Sequence, residues 1–213
     1  MEIEIYADLV CPWCYLGKRR LDEAIARYDG EVTVRYRPFQ LDPSPVPEPL
    51  PVVEALADKF GGPERARQMV ERVVQVAAGD GLRLDYDHAV AANTFDAHRL
   101  VGYAAERDRA AEMVDALYQA HFTKGLDIGA REVLATIAGS IGLDAADARR
   151  FLDSDERTAE LAADLAAAHE LGITSVPMFV LAGKYAVSGA QETSTLLAAL
   201  AEVEQREAAA GQA

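Results

Sequence analysis

An α/β fold carrying a large all-helical insertion is what this 213-residue sequence predicts. Three observations lead there. Residues 2–39 pass from an alternating pattern to a helical one and back to alternation; residues from about 52 to 150 show helical periodicity alone; and the remainder returns to a helix, two short apolar runs and a final helix.

Residues 2–8, EIEIYAD, alternate, with Ile3 and Ile5 on one face of a strand. In CPWCYLGKRRLDEAIARY the apolar positions Leu21, Ala24, Ile25 and Tyr28 have helical spacing, and Pro12 suits a first helical turn, where its missing N–H is no loss. EVTVRYRPF alternates again, with Val32, Val34 and Tyr36 facing one way. Strand, helix and strand make a βαβ unit, and CPWC stands at its first strand-to-helix junction.

QLDPSPVPEPLP holds five prolines between Asp42 and Pro51, an extended connector that marks a boundary. Beyond it, helices are expected over 52–60, 63–81, 88–107, 110–122, 131–142 and 144–152, then over 155–172 with Gly172 as the stop. Residues 176–190 read as a hairpin around Ala182-Gly183-Lys184, and 192–208 as a closing amphipathic helix. The expected organisation is a discontinuous domain of residues 1–50 and 151–213, interrupted by a helical domain of residues 51–150. With the block removed, the order βαβ then αββα is that of a thioredoxin fold.

A chain of this length, half of it hydrophobic, builds its core without a cross-link. Closing a four-residue loop would stabilise it by only about 2 kcal/mol. The pair Cys11 and Cys14, the only cysteines, is therefore not a staple. A closed zinc site needs four ligands, and there is no second CxxC, while His88, His98, His121 and His169 are scattered singly. The net charge of −14 argues against a nucleic-acid partner. MEIEIYADLV lacks the basic start and apolar run of a secretory signal, and no stretch of about 18 apolar residues occurs. A soluble cytoplasmic protein with no membrane contact is expected, and a reducing compartment favours catalytic thiols over a permanent disulfide.

Five segments carry a family resemblance that spans nearly the whole chain: CPWCYLG, RPFQLDP, NTFDAHRL, HFTKGLDI and GITSVPMFVLAGKYAVSGAQ. The chain resembles the DsbA-like thiol-disulfide oxidoreductases, most closely their FrnE-like cytoplasmic branch. That resemblance implies exchange between the Cys11-Cys14 pair and a disulfide- or thiol-containing protein or small molecule, no tightly bound cofactor, and glutathione as a candidate redox partner. It gives Pro12 and Trp13 the tuning of the potential and contact with substrate. It sets Val176-Pro177 opposite the pair as a cis peptide, with the Val176 backbone free to meet an extended substrate. Trp13 and Phe39 are expected to line an apolar groove between base and helical block, with His98 as a further substrate contact. His98 and His121 also read as hydrogen-bonded packing residues.

The attacking species in such chemistry is a thiolate, and an ordinary Cys is only a few per cent ionised at pH 7. A helix N-terminus favours the anion at Cys11, and Cys14, one turn on, closes the disulfide. Lys18, Arg19 and Arg20 lie two turns down the helix, about 10 Å away, and are discounted as screened by salt. Asp8 has three readings: an anion that opposes the thiolate if it points towards Cys11, a proton acceptor for Cys14, or an acceptor of backbone N–H groups at the strand end. Kappa-class glutathione transferases and 2-hydroxychromene-2-carboxylate isomerases share the expected architecture but carry a serine where the pair stands. A glutathione-dependent isomerase or transferase acting on an aromatic, polyketide-like molecule is thus one alternative, and a non-catalytic binding or chaperone module another. Retention of both cysteines favours dithiol chemistry.

Overall fold

The computed structural model describes residues 1–46 and 49–211; Pro47 and Glu48 of the predicted connector lie outside the described residues. The chain opens with β1 (Glu2–Ala7), α1 (Pro12–Ile25) and β2 (Thr33–Pro38). Six helices follow: α2 (Val52–Phe60), α3 (Pro63–Gly79), α4 (Phe95–Ala105), α5 (Ala110–Phe122), α6 (Arg131–Ser140) and α7 (Ala145–Asp153). α8 (Thr158–Glu170), β3 (Met178–Leu181), β4 (Tyr185–Ser188) and α9 (Thr193–Ala210) complete it. Among the described residues the only pairing outside the sheet is an antiparallel bridge between Pro51 and Val90.

The four strands form one sheet in the order β2-β1-β3-β4, with β1 parallel to β2 and antiparallel to β3. The register sets Ile3 between Val34 and Leu181, and Ile5 between Tyr36 and Phe179, so one face is a continuous apolar row. That face shares one buried cluster with Leu21 and Ala24 of α1 and with Leu196, Leu200 and Val203 of α9. Each fully buried Ile, Leu or Phe there contributes about 1.5–3 kcal/mol. The alternate residues Glu2 and Glu4 project to the opposite face and pair with Arg35 and Arg37 of β2. Ala182 and Gly183, both with positive φ, make the tight β3–β4 turn, closed by the Lys184 N–H donating to the Leu181 carbonyl at 3.1 Å.

Residues 88–94, expected as the start of a helix, are irregular up to Phe95. Their backbone groups are committed elsewhere. Val52 N–H donates to the Ala89 carbonyl at 3.0 Å, and Ala91 N–H to that of Leu50 at 2.7 Å. The Asn93 amide donates to the carbonyls of Pro43 and Ser44, while its Oδ1 accepts from Phe95 N–H. The proline connector thus takes the bonds that an earlier helix start would have used. Gly172, with φ of +76°, ends α8 as expected. One buried apolar cluster runs from Ile3 and Ile5 in the sheet to Leu117 and Leu134 in the helical block, without a break at residue 51 or 150.

Candidate active site

β1 ends in Ala7, and the chain turns through Asp8 into α1. Cys11 is the N-cap residue, extended at φ −92° and ψ 113°, and its carbonyl accepts from the N–H groups of Cys14 and Tyr15. Pro12 opens the helix, and Trp13 beside it is 36% exposed. Cys11 is 4% exposed and Cys14, one turn down, is 0%; both are free thiols. Burial first, and then the adjacent Cys11, push the Cys14 thiol well above its ordinary value. Cys14 therefore stays protonated at neutral pH until a base takes its proton.

The Val176–Pro177 peptide is cis, and the Val176 carbonyl oxygen lies 4.0 Å from Cys11 Sγ. What lets α1 approach this loop is Gly17: a Cβ there would stand 2.9 Å from Pro177 Cγ and 3.2 Å from Phe179 Cζ. Cys11, Pro12, Trp13, Val176 and Pro177 are thus gathered at the N-terminal end of α1.

Phe39 stands behind that group: its side chain is buried with Tyr6, Ala168 and Ile173 in a cluster against which Val176 packs, its ring 5.2 Å from that of His169. The reason is parity: Phe39 follows directly on β2 and points to the α8 side of the sheet. Its carbonyl does contribute, accepting from His98 Nε2–H at 3.1 Å. His98 is likewise buried, with Nε2 3.5 Å from Asp8 Oδ1.

Asp8 is 1% exposed. Its Oδ2 accepts from Leu41 N–H at 2.7 Å, while Oδ1 has no hydrogen bond. The reading of Asp8 as an acceptor of backbone N–H groups is met by Leu41. His121, on α5, is equally buried, with Nδ1 lacking a partner; burial lowers its pKa to about 4 against an opposing pull from Asp8.

The helical block roofs the pair with aromatic rings that sequence patterns did not single out. Tyr15 stacks on Tyr118 at 4.9 Å and on Phe122 at 6.0 Å, and Tyr118 OH donates to the Asp8 carbonyl at 3.4 Å. Burial, followed by the charge of Cys11, raises the Tyr86 phenol; burial, Cys14, Cys11 and Asp8 raise that of Tyr118. Apart from Tyr15 in CPWCYLG, only Phe122 of these rings falls in a segment quoted above, and an aromatic residue there reads equally well as core.

The cations of α1 correct another expectation. Lys18 and Arg20 are buried, not screened by salt. Lys18 pairs with Asp22 and Asp115, both at 2.7 Å. Burial alone would lower its pKa, but Tyr36 and these carboxylates overcome that and raise it. Arg20 grips both Asp80 oxygens at 2.8 Å and also donates to the Ala190 carbonyl, joining α1 to the end of α3 and to the approach to α9. These charges are spent on partners and do not serve the thiols. Among the described residues no cluster of His, Cys, Asp and Glu could hold a metal, and no helix is long and apolar enough to cross a membrane.

Known proteins share this fold. A probable DsbA oxidoreductase from Streptomyces coelicolor superposes with a TM-score of 0.88 at 36% identity, over 95% of this chain and 89% of that one. A 2-hydroxychromene-2-carboxylate isomerase has the same fold at 20% identity, with a TM-score of 0.74 over 98% of both chains. So does the cytosolic disulfide reductase DsbM from Pseudomonas aeruginosa, solved with GSH, at 21% identity and a TM-score of 0.70 over 97% of this chain and all of that one. The family model for the DSBA-like thioredoxin domain matches residues 2–201, and with a CxxC at the head of α1 facing a cis proline the chain belongs to that family.

Proposed function

We propose that the protein is a thiol-disulfide oxidoreductase of the FrnE-like branch, exchanging its Cys11-Cys14 dithiol with the disulfide of a protein or small-molecule substrate. One observation carries this reading: an N-cap thiol stands over a fully buried second thiol that lies in the field of the Asp8 carboxylate. Cys11 Sγ, as thiolate, attacks a substrate sulfur; the substrate S–S bond breaks, one substrate thiolate leaves, and a mixed disulfide remains. Cys14 then attacks Cys11 Sγ, its proton passing to Asp8 Oδ1, the oxygen without a hydrogen bond. The second substrate thiolate leaves as the Cys11-Cys14 disulfide closes. Substrate has gained two electrons and the pair has lost two.

Trp13, half-exposed beside Cys11, offers an apolar contact to an approaching chain, and the Val176 carbonyl offers an acceptor for a substrate N–H. No tightly bound cofactor is required. Glutathione serves as the reductant that restores the dithiol, a role supported by the capture of GSH in the DsbM structure, and the setting is the cytoplasm, as for that cytosolic relative.

The test is turnover of insulin disulfides by two variants. Cys11→Ser abolishes turnover, whereas Cys14→Ser keeps the first attack and accumulates a mixed disulfide on Cys11, seen by mass spectrometry and released by dithiothreitol. Equal residual turnover in both variants overturns the assignment of roles.

A further inference from the structure

β2 is an edge strand, paired on one side only. The Thr33 N–H donates to the Met1 carbonyl at 2.9 Å and the Phe39 N–H to that of Ala7 at 3.1 Å, so the odd-numbered residues of β2 direct their backbone groups at β1. Those of Val34 and Tyr36 therefore point outward, and no backbone hydrogen bond among the described residues takes them up. They open into a cleft of about 720 Å³ that runs along this edge. Ala105 of α4 with Ala111 and Val114 of α5 form an apolar wall, and Glu160, Leu161 and Asp164 of α8 line the other.

Strand parity sets what each wall meets. Val34 and Tyr36 share the face of Ile3 and Ile5, where the charge of Asp115 on α5 acts on Tyr36. Arg35 and Arg37 share the opposite face with Phe39, where α8 packs and the charge of Asp164 acts on Arg37. The charges on this second face do not cancel. Arg35 is held by Glu2 at 2.7 Å, Arg37 by Glu4 at 2.6 Å, and Arg157 by Glu106 and Glu160. Half-buried Asp164 has no cation within ion-pair distance among the described residues.

We propose that this edge docks an extended segment of a partner protein, added as a strand to β2, with apolar residues against α5 alternating with basic residues against Asp164. Ladder bonds to the N–H and carbonyl groups of Val34 and Tyr36 hold the segment, and side chains of opposite parity reach opposite walls. Pro38, without an N–H, ends the ladder. A second copy of this chain is a poor occupant: two β2 strands paired antiparallel about Arg35 or Tyr36, the middle of the strand, set arginine against arginine. Docking here requires no thiol chemistry and is independent of the exchange reaction.

The experiment follows the anisotropy of a fluorescein-labelled hexapeptide of alternating Val and Lys. Binding is expected to saturate below about 1 mM, and that of the counterpart with Glu in place of Lys is not. N-methylation of one alternate set of its amides is expected to abolish binding and that of the other set to be tolerated, because a strand presents only every second N–H to one edge. Asp164→Asn is expected to weaken binding about two- to fivefold. Ala111→Trp, at an exposed position, fills the cleft and is expected to block binding. No saturation by the Lys peptide, equal binding of the Glu peptide, or equal loss on methylating either set overturns the proposal. So does an affinity unchanged in either variant. A chain that sediments as a dimer, and as a monomer in the Ala111→Trp variant, places a second copy on this edge and overturns it as well.

Discussion

His121 makes the stability of this protein depend on pH in a window where few other groups titrate. Burial holds it neutral in the folded chain down to about pH 4, while in the unfolded chain it takes up a proton near its ordinary 6.5. Between those values the unfolded state binds one proton more than the folded state, so stability falls as pH falls. At about 1.4 kcal/mol per pH unit, the loss from pH 7 to pH 4 comes to about 3 kcal/mol. The loss is complete once the folded imidazole itself protonates. Asp42, held at about 2 chiefly by its hydrogen bond from Lys59, loses its contribution only below the ordinary carboxylate value of 3.8, outside this window. His88 is exposed and raised by its hydrogen bond to Asp85, and so works in the opposite sense, its contribution disappearing as pH rises. His121→Leu fills a similar volume with nothing to titrate, so subtracting the two pH profiles isolates this residue. With an m-value of about 3 kcal/mol/M, the wild-type urea midpoint should fall about 1 M further than that of His121→Leu over the same pH range. Parallel profiles would refute the argument.

Three further outcomes follow from named contacts. Gly17→Ala drives a Cβ to 2.9 Å from Pro177 Cγ, and is expected to cost about 2 kcal/mol and about 4–8 °C in Tm by calorimetry. Asp80→Asn leaves the buried Arg20 fork without its carboxylate and should cost about 2 kcal/mol in urea unfolding; an unchanged midpoint would mean that Glu192, 3.0 Å from the same guanidinium, suffices. Trp13→Ala is expected to slow exchange with insulin more than exchange with oxidised glutathione, as measured by the ratio of second-order rates, because only the longer chain reaches across the ring.

How far the sequence could be read depended on whether a residue's chemistry or its neighbours decided its place. Alternation at Ile3 and Ile5 and the turn at Ala182-Gly183 are local signals, and the sheet forms from them as expected. CPWC at a strand-to-helix junction was legible because both cysteines lie within one helical turn. Lys18 and Arg20 were misread because charge on a helix ordinarily marks its solvated face; here Asp22, Asp115 and Asp80 converge on them, two of the three from the helical block far along the chain. The helix expected from residue 88 failed for the same reason, its backbone groups being claimed by the connector near residue 50. Phe39 was expected beside Trp13; strand parity buries it on the α8 face instead, in a cluster against which Val176 packs. Tyr86 and Tyr118 have no local signature, because their position over the thiols follows from how the block folds back on α1.

The most direct measurement is an equilibrium titration of the Cys11-Cys14 pair against reduced and oxidised glutathione, with acid quenching, thiol alkylation and mass spectrometry. Exchange by this pair requires a single reversible two-electron transition between dithiol and internal disulfide, with a midpoint independent of protein concentration. Thiols that stay free at every glutathione ratio, or glutathione that accumulates on Cys11 without closure to Cys14, would contradict it.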